Sequence, residues 1–133
     1  MPEKKTIERA HKAKRQGKAP TTQAGEFVRE EIEHVREGKH GARSTKQAIA
    51  IGLSKARRAG VRLKPPAKGR TSRATRRRAQ RDYAVGRTHP RRKPSARRAR
   101  ATLRALKREP KRTVSSKALS RQARRSAQRR KAA

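Results

Sequence analysis

The stretch Ser44-Thr45-Lys46-Gln47-Ala48-Ile49-Ala50-Ile51-Gly52-Leu53-Ser54-Lys55-Ala56-Arg57-Arg58-Ala59-Gly60 carries a start signal, an apolar face and a stop signal within 17 residues. Ser44 to Gln47 is a capping box: the Ser44 hydroxyl accepts the Gln47 backbone N–H while the Gln47 side chain reaches back. Ile49, Gly52, Leu53 and Ala56 share one face at helical spacing. Gly52 lets a second helix approach closely, and Ile51 points to another surface. Gly60 is placed for a left-handed C-terminal cap, with Val61 supplying its usual hydrophobic contact. The spacing predicts a helix over about 45–59.

Upstream, a second helix is predicted over about 23–37, with Thr22 as its cap, Glu26 near the positive end of its dipole and Gly38 just past its end. Val28, Ile32 and Val35 recur at i, i+4 and i+7, with Phe27 beside them. Arg29–Glu33 and Glu33–Arg36 are spaced to pair, and Glu30, Glu33 and Glu37 read as solvated-face partners of arginines. Lys18-Ala19-Pro20 reads as a break. Residues 3–16 add a further helix, with Pro2 at its first turn, Gly17 at its end and a thin face of Ile7 and Ala10. Residues 22–63 thus read as a helical hairpin. A unit of about 40 residues without disulfide or metal needs further support, from residues 3–16, from the rest of the chain or from a second copy.

Composition changes sharply after this module. The 133 residues hold 43 Lys+Arg against 9 Asp+Glu, a net charge of +34. Residues 1–37 carry seven of the nine acids and a net of +2, whereas residues 64–133 carry 27 basic residues against Asp82 and Glu109, a net of +25. Leu, Ile, Val and Phe together make 11% of the chain, below the roughly 20% under which a highly charged chain is expected to stay disordered. A single core for the whole chain is excluded. No apolar run approaches the roughly 18 residues of a membrane span, and no secretory h-region is present. The absence of Cys excludes disulfides and thiolate chemistry.

The expected fold is therefore all-α, with a small helical module over 1–63 and an Arg/Lys/Ala-rich arm over 64–133. Within the arm, Ser72, Ser95 and Ser116 are placed to cap nascent helices at about 72–84, 96–108 and 116–131, separated by breaks at Gly86 to Pro94 and at Pro110. Ala96, Ala99, Leu103 and Leu106 line the middle one, Leu119 and Ala123 the last. Self-repulsion keeps such helices largely disordered when free, and a polyanion orders them.

The core from Lys46 to Arg57 resembles a family of short basic bacterial and phage proteins that share a Lys-Gln-Ala-Ile-Ala-Ile-Ala/Gly-Leu-Ser-x-Ala-Arg signature. The Glu37-Gly38-Lys39 segment is similar too. The resemblance spans some 20–40 residues, implies association with DNA and carries over no activity. The arm resembles the Ala/Lys/Arg-rich tails of linker-histone-like bacterial proteins.

A net +25 arm can neutralise on the order of 25 phosphates, about a dozen base pairs of duplex. The residues expected to contact nucleic acid are Lys46, Lys55, Arg57, Arg58 and Arg62 in the module. In the arm they are Arg73, Arg76, Arg77, Arg78, Arg81, Arg91, Arg92, Arg97, Arg98, Arg100, Arg104, Arg121, Arg124, Arg125, Arg129 and Arg130. Were the 45–59 helix to read a major groove, Lys46, Gln47, Lys55 and Arg58 are its readers. Phe27 is core and Tyr83 stands alone, so no stacking platform for single strands exists.

Chemistry is poorly supported. Glu31-x-x-His34 has the helical carboxylate–histidine spacing of di-iron sites, but such a site draws ligands from several helices. His11, His40 and His89 lie among cations and read as surface or phosphate-facing. No nucleotide-binding loop or catalytic triad can be assembled. The expectation is a non-enzymatic protein without cofactor or metal that binds nucleic acid, with DNA favoured over RNA. Histone-like compaction in the cytoplasm at the nucleoid is the leading reading. An RNA- or ribosome-associated protein is the second. A hairpin that docks on a protein partner or on its own copy, with the arm adding nucleic-acid affinity, is the third. No membrane and no small-molecule substrate is expected.

Overall fold

Every helix the patterning predicts is present, and the differences lie at the ends. The computed structural model describes residues 2–90 and 92–132. Among these it holds α1 (Lys4–Arg15), α2 (Pro20–Arg36), α3 (Thr45–Arg58), α4 (Arg73–Thr88), α5 (Ala96–Lys107) and α6 (Ser116–Ala132), with a 3₁₀ turn at Arg112–Val114 and no strand. The fold is all-α.

Helix α2 starts at Pro20, earlier than expected. Proline lacks the N–H that would be unsatisfied in a first turn, so Pro20 opens the helix and does not break it. The Ala19 carbonyl accepts from Thr22 and Gln23 at 3.0 and 3.1 Å, so Thr22 lies inside the helix and is not its cap. Helix α4 runs through Gly86 to Thr88, past its expected end near residue 84. Gly86 is buried against the Arg57 carbonyl, where a Cβ has no room. Ser72 and Ser95 cap α4 and α5, each accepting an N–H at 3.2 Å. The cap of α6 is Ser115, one residue before the expected Ser116: its hydroxyl accepts the Ala118 N–H at 3.1 Å.

The chain packs as two compact units, Met1–Glu30 with Ile51–Lys93, and Glu31–Ala50 with Pro94–Ala133. Each draws on both sides of Lys64, so packing does not divide the chain where composition does.

In the first unit, Ala10, Ala24, Phe27, Ala56 and Val61 form a buried core, flanked by Ile7, Leu53, Ala59 and Leu63. Small residues let the helices close up: a Cβ on Gly52 would lie 2.5 Å from the Val28 Cα. Gly60 adopts φ +102° and the Val61 N–H donates to the Ala56 carbonyl at 3.0 Å, the left-handed cap the sequence predicts. Asp82 holds α4 on α3, accepting from Ser54 Oγ at 2.7 Å and pairing with Arg58 at 3.1 Å. Glu30, expected on the solvated face, is buried. Its Oε1 accepts the Glu3 backbone N–H at 2.5 Å and the Thr6 hydroxyl at 3.0 Å.

In the second unit the core is Val35, Ala42, Ala48 and Val114, with Ile32 beside it. The arm is fastened here by its backbone. The N–H groups of Gly41 and Ala42 donate to the Leu106 and Pro110 carbonyls at 2.8 and 2.9 Å. The Arg36 guanidinium donates through Nε and Nη2 to the Val114 carbonyl at 3.3 and 3.2 Å. Helix α5 has no buried residue: Leu106 is half-buried and Leu103 is 41% exposed.

Of the expected apolar stripe, Phe27, Val35, Gly52 and Ala56 are buried, while Val28, Ile32, Ile49 and Leu53 are half-buried. Ala48 completes a buried row at 48, 52 and 56.

Candidate nucleic-acid interface

In the second unit a groove of about 410 Å³ opens between the start of α3 and the start of α6. Five cationic side chains line it, Arg43, Lys46, Arg112, Arg121 and Arg125, together with Ser44, Thr45, Thr113, Ser115, Ala118 and Gln122, and no carboxylate. All five cations are solvent-exposed.

The groove follows from two capping sequences brought together. Ser44 caps α3, its hydroxyl accepting the Gln47 N–H at 3.1 Å, while Gln47 Oε1 accepts the Arg43 N–H at 2.5 Å. The return bond of the capping box thus reaches one residue further back than expected. Two threonines then lock the walls. Thr45 Oγ1 donates to the Thr113 carbonyl at 2.5 Å, and Thr113 Oγ1 donates to the Ala42 carbonyl at 3.0 Å. Two helix N-termini therefore open onto one cationic hollow, with their partial positive charges added to five formal ones. Such a site favours an anion on electrostatics and on donor supply alike.

Only three groove residues, Lys46, Arg121 and Arg125, were expected from sequence as nucleic-acid contacts. Arg43 and Arg112 were not. Arg43 precedes a Ser cap and Arg112 sits two residues before Val114, positions whose meaning appears only once the segments meet.

The remaining expected contacts are distributed as follows. Arg73, Arg77 and Arg81 are exposed at i, i+4 and i+8 of α4, with Arg78 also exposed. Arg76 is half-buried and donates to the Pro66 carbonyl at 3.2 Å. Arg62, Arg92, Arg97, Arg98, Arg100, Arg104, Arg124, Arg129 and Arg130 are exposed, and Lys55 is half-buried. Arg91 lies outside the described residues. Arg58 keeps its bond to Asp82 while its side chain stays 39% exposed.

Arg57 is a correction. It is buried, and its guanidinium donates to the carbonyls of Leu63 and Lys64 at 3.1 and 3.4 Å. Burial lowers its pKa from the usual arginine value, and the Asp82 charge partly opposes that shift. Arg57 holds the chain after α3 and is withdrawn from solvent phosphates.

Tyr83 is half-buried and engaged by Arg87. The Arg87 guanidinium lies 5.6 Å from its ring centroid and donates to its hydroxyl at 3.2 Å. His40, expected among surface histidines, is buried with Glu31. Among the described residues no helix is long and apolar enough to cross a membrane. Comparison with protein-family models, curated proteins and solved structures finds no match to this chain.

Proposed function

We propose that this protein binds duplex DNA with little sequence preference by neutralising phosphates, without catalysing a reaction. The observation that carries this reading is the carboxylate-free groove of five cations between two helix N-termini, in a chain of net charge +34. The groove takes the backbone at one defined point. Exposed arginines on α5 and α6 of the same unit extend the contact over neighbouring phosphates, and those on α4 give the first unit a cationic surface of its own. With Phe27 buried and Tyr83 half-buried beside Arg87, recognition relies on the phosphate backbone and on groove shape, not on a row of stacked bases. The choice of DNA over RNA follows the expected resemblance of Lys46 to Arg57 to short basic bacterial and phage proteins of uncharacterised function, for which association with DNA is implied.

The test is to purify the full chain at low salt and treat the co-purifying nucleic acid with DNase or RNase. Sensitivity to DNase alone is the expected result. Sensitivity to RNase alone replaces the DNA reading with an RNA one, and absence of nucleic acid overturns both.

A further inference from the structure

The groove leaves one built feature of the second unit unexplained. Glu31 and His34 lie one turn apart on α2, and His40 follows in the loop after the helix ends. The ligand atoms of these three side chains all fall within 4.8 Å of one another. Glu31 is 1% exposed and His40 7%. The rings of His34 and His40 meet edge to face with centroids 6.1 Å apart.

We propose that Glu31, His34 and His40 bind a divalent cation of the zinc class. Two histidines and one glutamate form a donor set that zinc takes with a fourth, open position. Bonds of about 2.0–2.2 Å at tetrahedral angles place neighbouring donors about 3.3–3.5 Å apart. Glu31 Oε2 and His40 Nε2 already stand 3.4 Å apart.

The tautomer fits as well. His40 Nδ1 lies 2.8 Å from the Gly41 carbonyl, which can only accept, so this contact suits the tautomer that carries its proton on Nδ1. In the neutral ring this leaves the Nε2 lone pair turned toward Glu31. A backbone carbonyl holding the far nitrogen is the usual outer partner of a metal-bound histidine. Spacing along the chain explains the rest. Gly38 adopts φ +83° and turns the chain back, which returns His40 to the helix face it has just left. Despite the overall charge of the protein, five of its nine acids lie in 26–37, so the local balance tolerates a dication. A bound ion ties the 37–42 loop to α2.

The experiment is calorimetric titration of the metal-free full chain with Zn²⁺, repeated with Co²⁺ by visible absorption. One equivalent is expected to bind, to raise the melting temperature, and to give the intense Co²⁺ bands of a tetrahedral site. His40→Ala and Glu31→Gln are each expected to weaken binding at least tenfold. Because both are buried, His34→Asn at a half-exposed position repeats the test with its helicity checked against the parent by circular dichroism, and the same loss is expected. His11→Asn and His89→Asn are expected to bind as the parent does. Absence of a one-to-one site up to millimolar Zn²⁺, or equal binding by parent and His34→Asn, overturns the proposal.

Discussion

Gly25→Ala and Gly52→Ala are expected to change stability in opposite directions. Both glycines lie inside helices, Gly25 in α2 and Gly52 in α3. Each replacement gains about 0.5–1 kcal/mol of helix propensity. At Gly25 a Cβ meets nothing within 4 Å, so this gain stands unopposed. At Gly52 the Cβ would lie 2.5 Å from the Val28 Cα and 2.9 Å from its nitrogen, against the 3.4–4 Å of ordinary contact. Backbone atoms cannot rotate aside, so α2 and α3 must part by about 1 Å. Overpacking of this kind costs about 1–3 kcal/mol, and a backbone obstacle belongs at the upper end. The net loss is about 2 kcal/mol, or roughly 5–10 °C in melting temperature. Thermal melts followed by circular dichroism measure both. A loss for Gly25→Ala together with a gain for Gly52→Ala would refute the close packing of α2 on α3.

Further expectations concern the arm and the caps. Val114→Ala removes the only large side chain buried among the arm's described residues, 1% exposed, and should cost roughly 1–3 kcal/mol of stability in denaturant titration. Truncation after Lys93 removes Val114 and α6 and uncovers Val35, Ala42 and Ala48, so helicity should fall by more than the deleted residues contribute; a strictly proportional fall contradicts the second core. Ser72→Ala and Ser95→Ala should each lose about 1 kcal/mol, read as helix fraying by hydrogen exchange.

Much of the fold was legible because its punctuation is local. The Ser44 cap, the left-handed Gly60 with Val61, and the Ser72 and Ser95 caps depend on residues three to five apart, and each formed. What stayed illegible depends on distant partners. Ala48 and Ala79 are buried, yet in a chain with 22 alanines neither stands out. Val114 is one of few large apolar residues in a cationic arm, and its burial depends on Val35, Ala42 and Ala48 and on Arg36 donating to its carbonyl, all far away in sequence. Glu30 and Arg57 read as surface charges because burial of a charge is decided by partners far along the chain, such as Thr6 for Glu30. The interface was legible as charge and illegible as a place: the sequence yields the cations, and only the meeting of the α3 and α6 caps gathers five of them around a hollow.

The central claim is tested most directly by the salt dependence of full-chain binding to random duplex DNA, compared with a variant carrying Lys46→Ala, Arg121→Ala and Arg125→Ala. With about ten phosphate contacts, log affinity should fall against log salt with a slope of roughly −9, and the triple variant should be shallower by up to about 3. Sequence preference should be slight in both, and the fold intact, since all three side chains are exposed. A shallow slope with strong preference for one sequence, or a triple variant whose slope equals the parent's, would contradict the account.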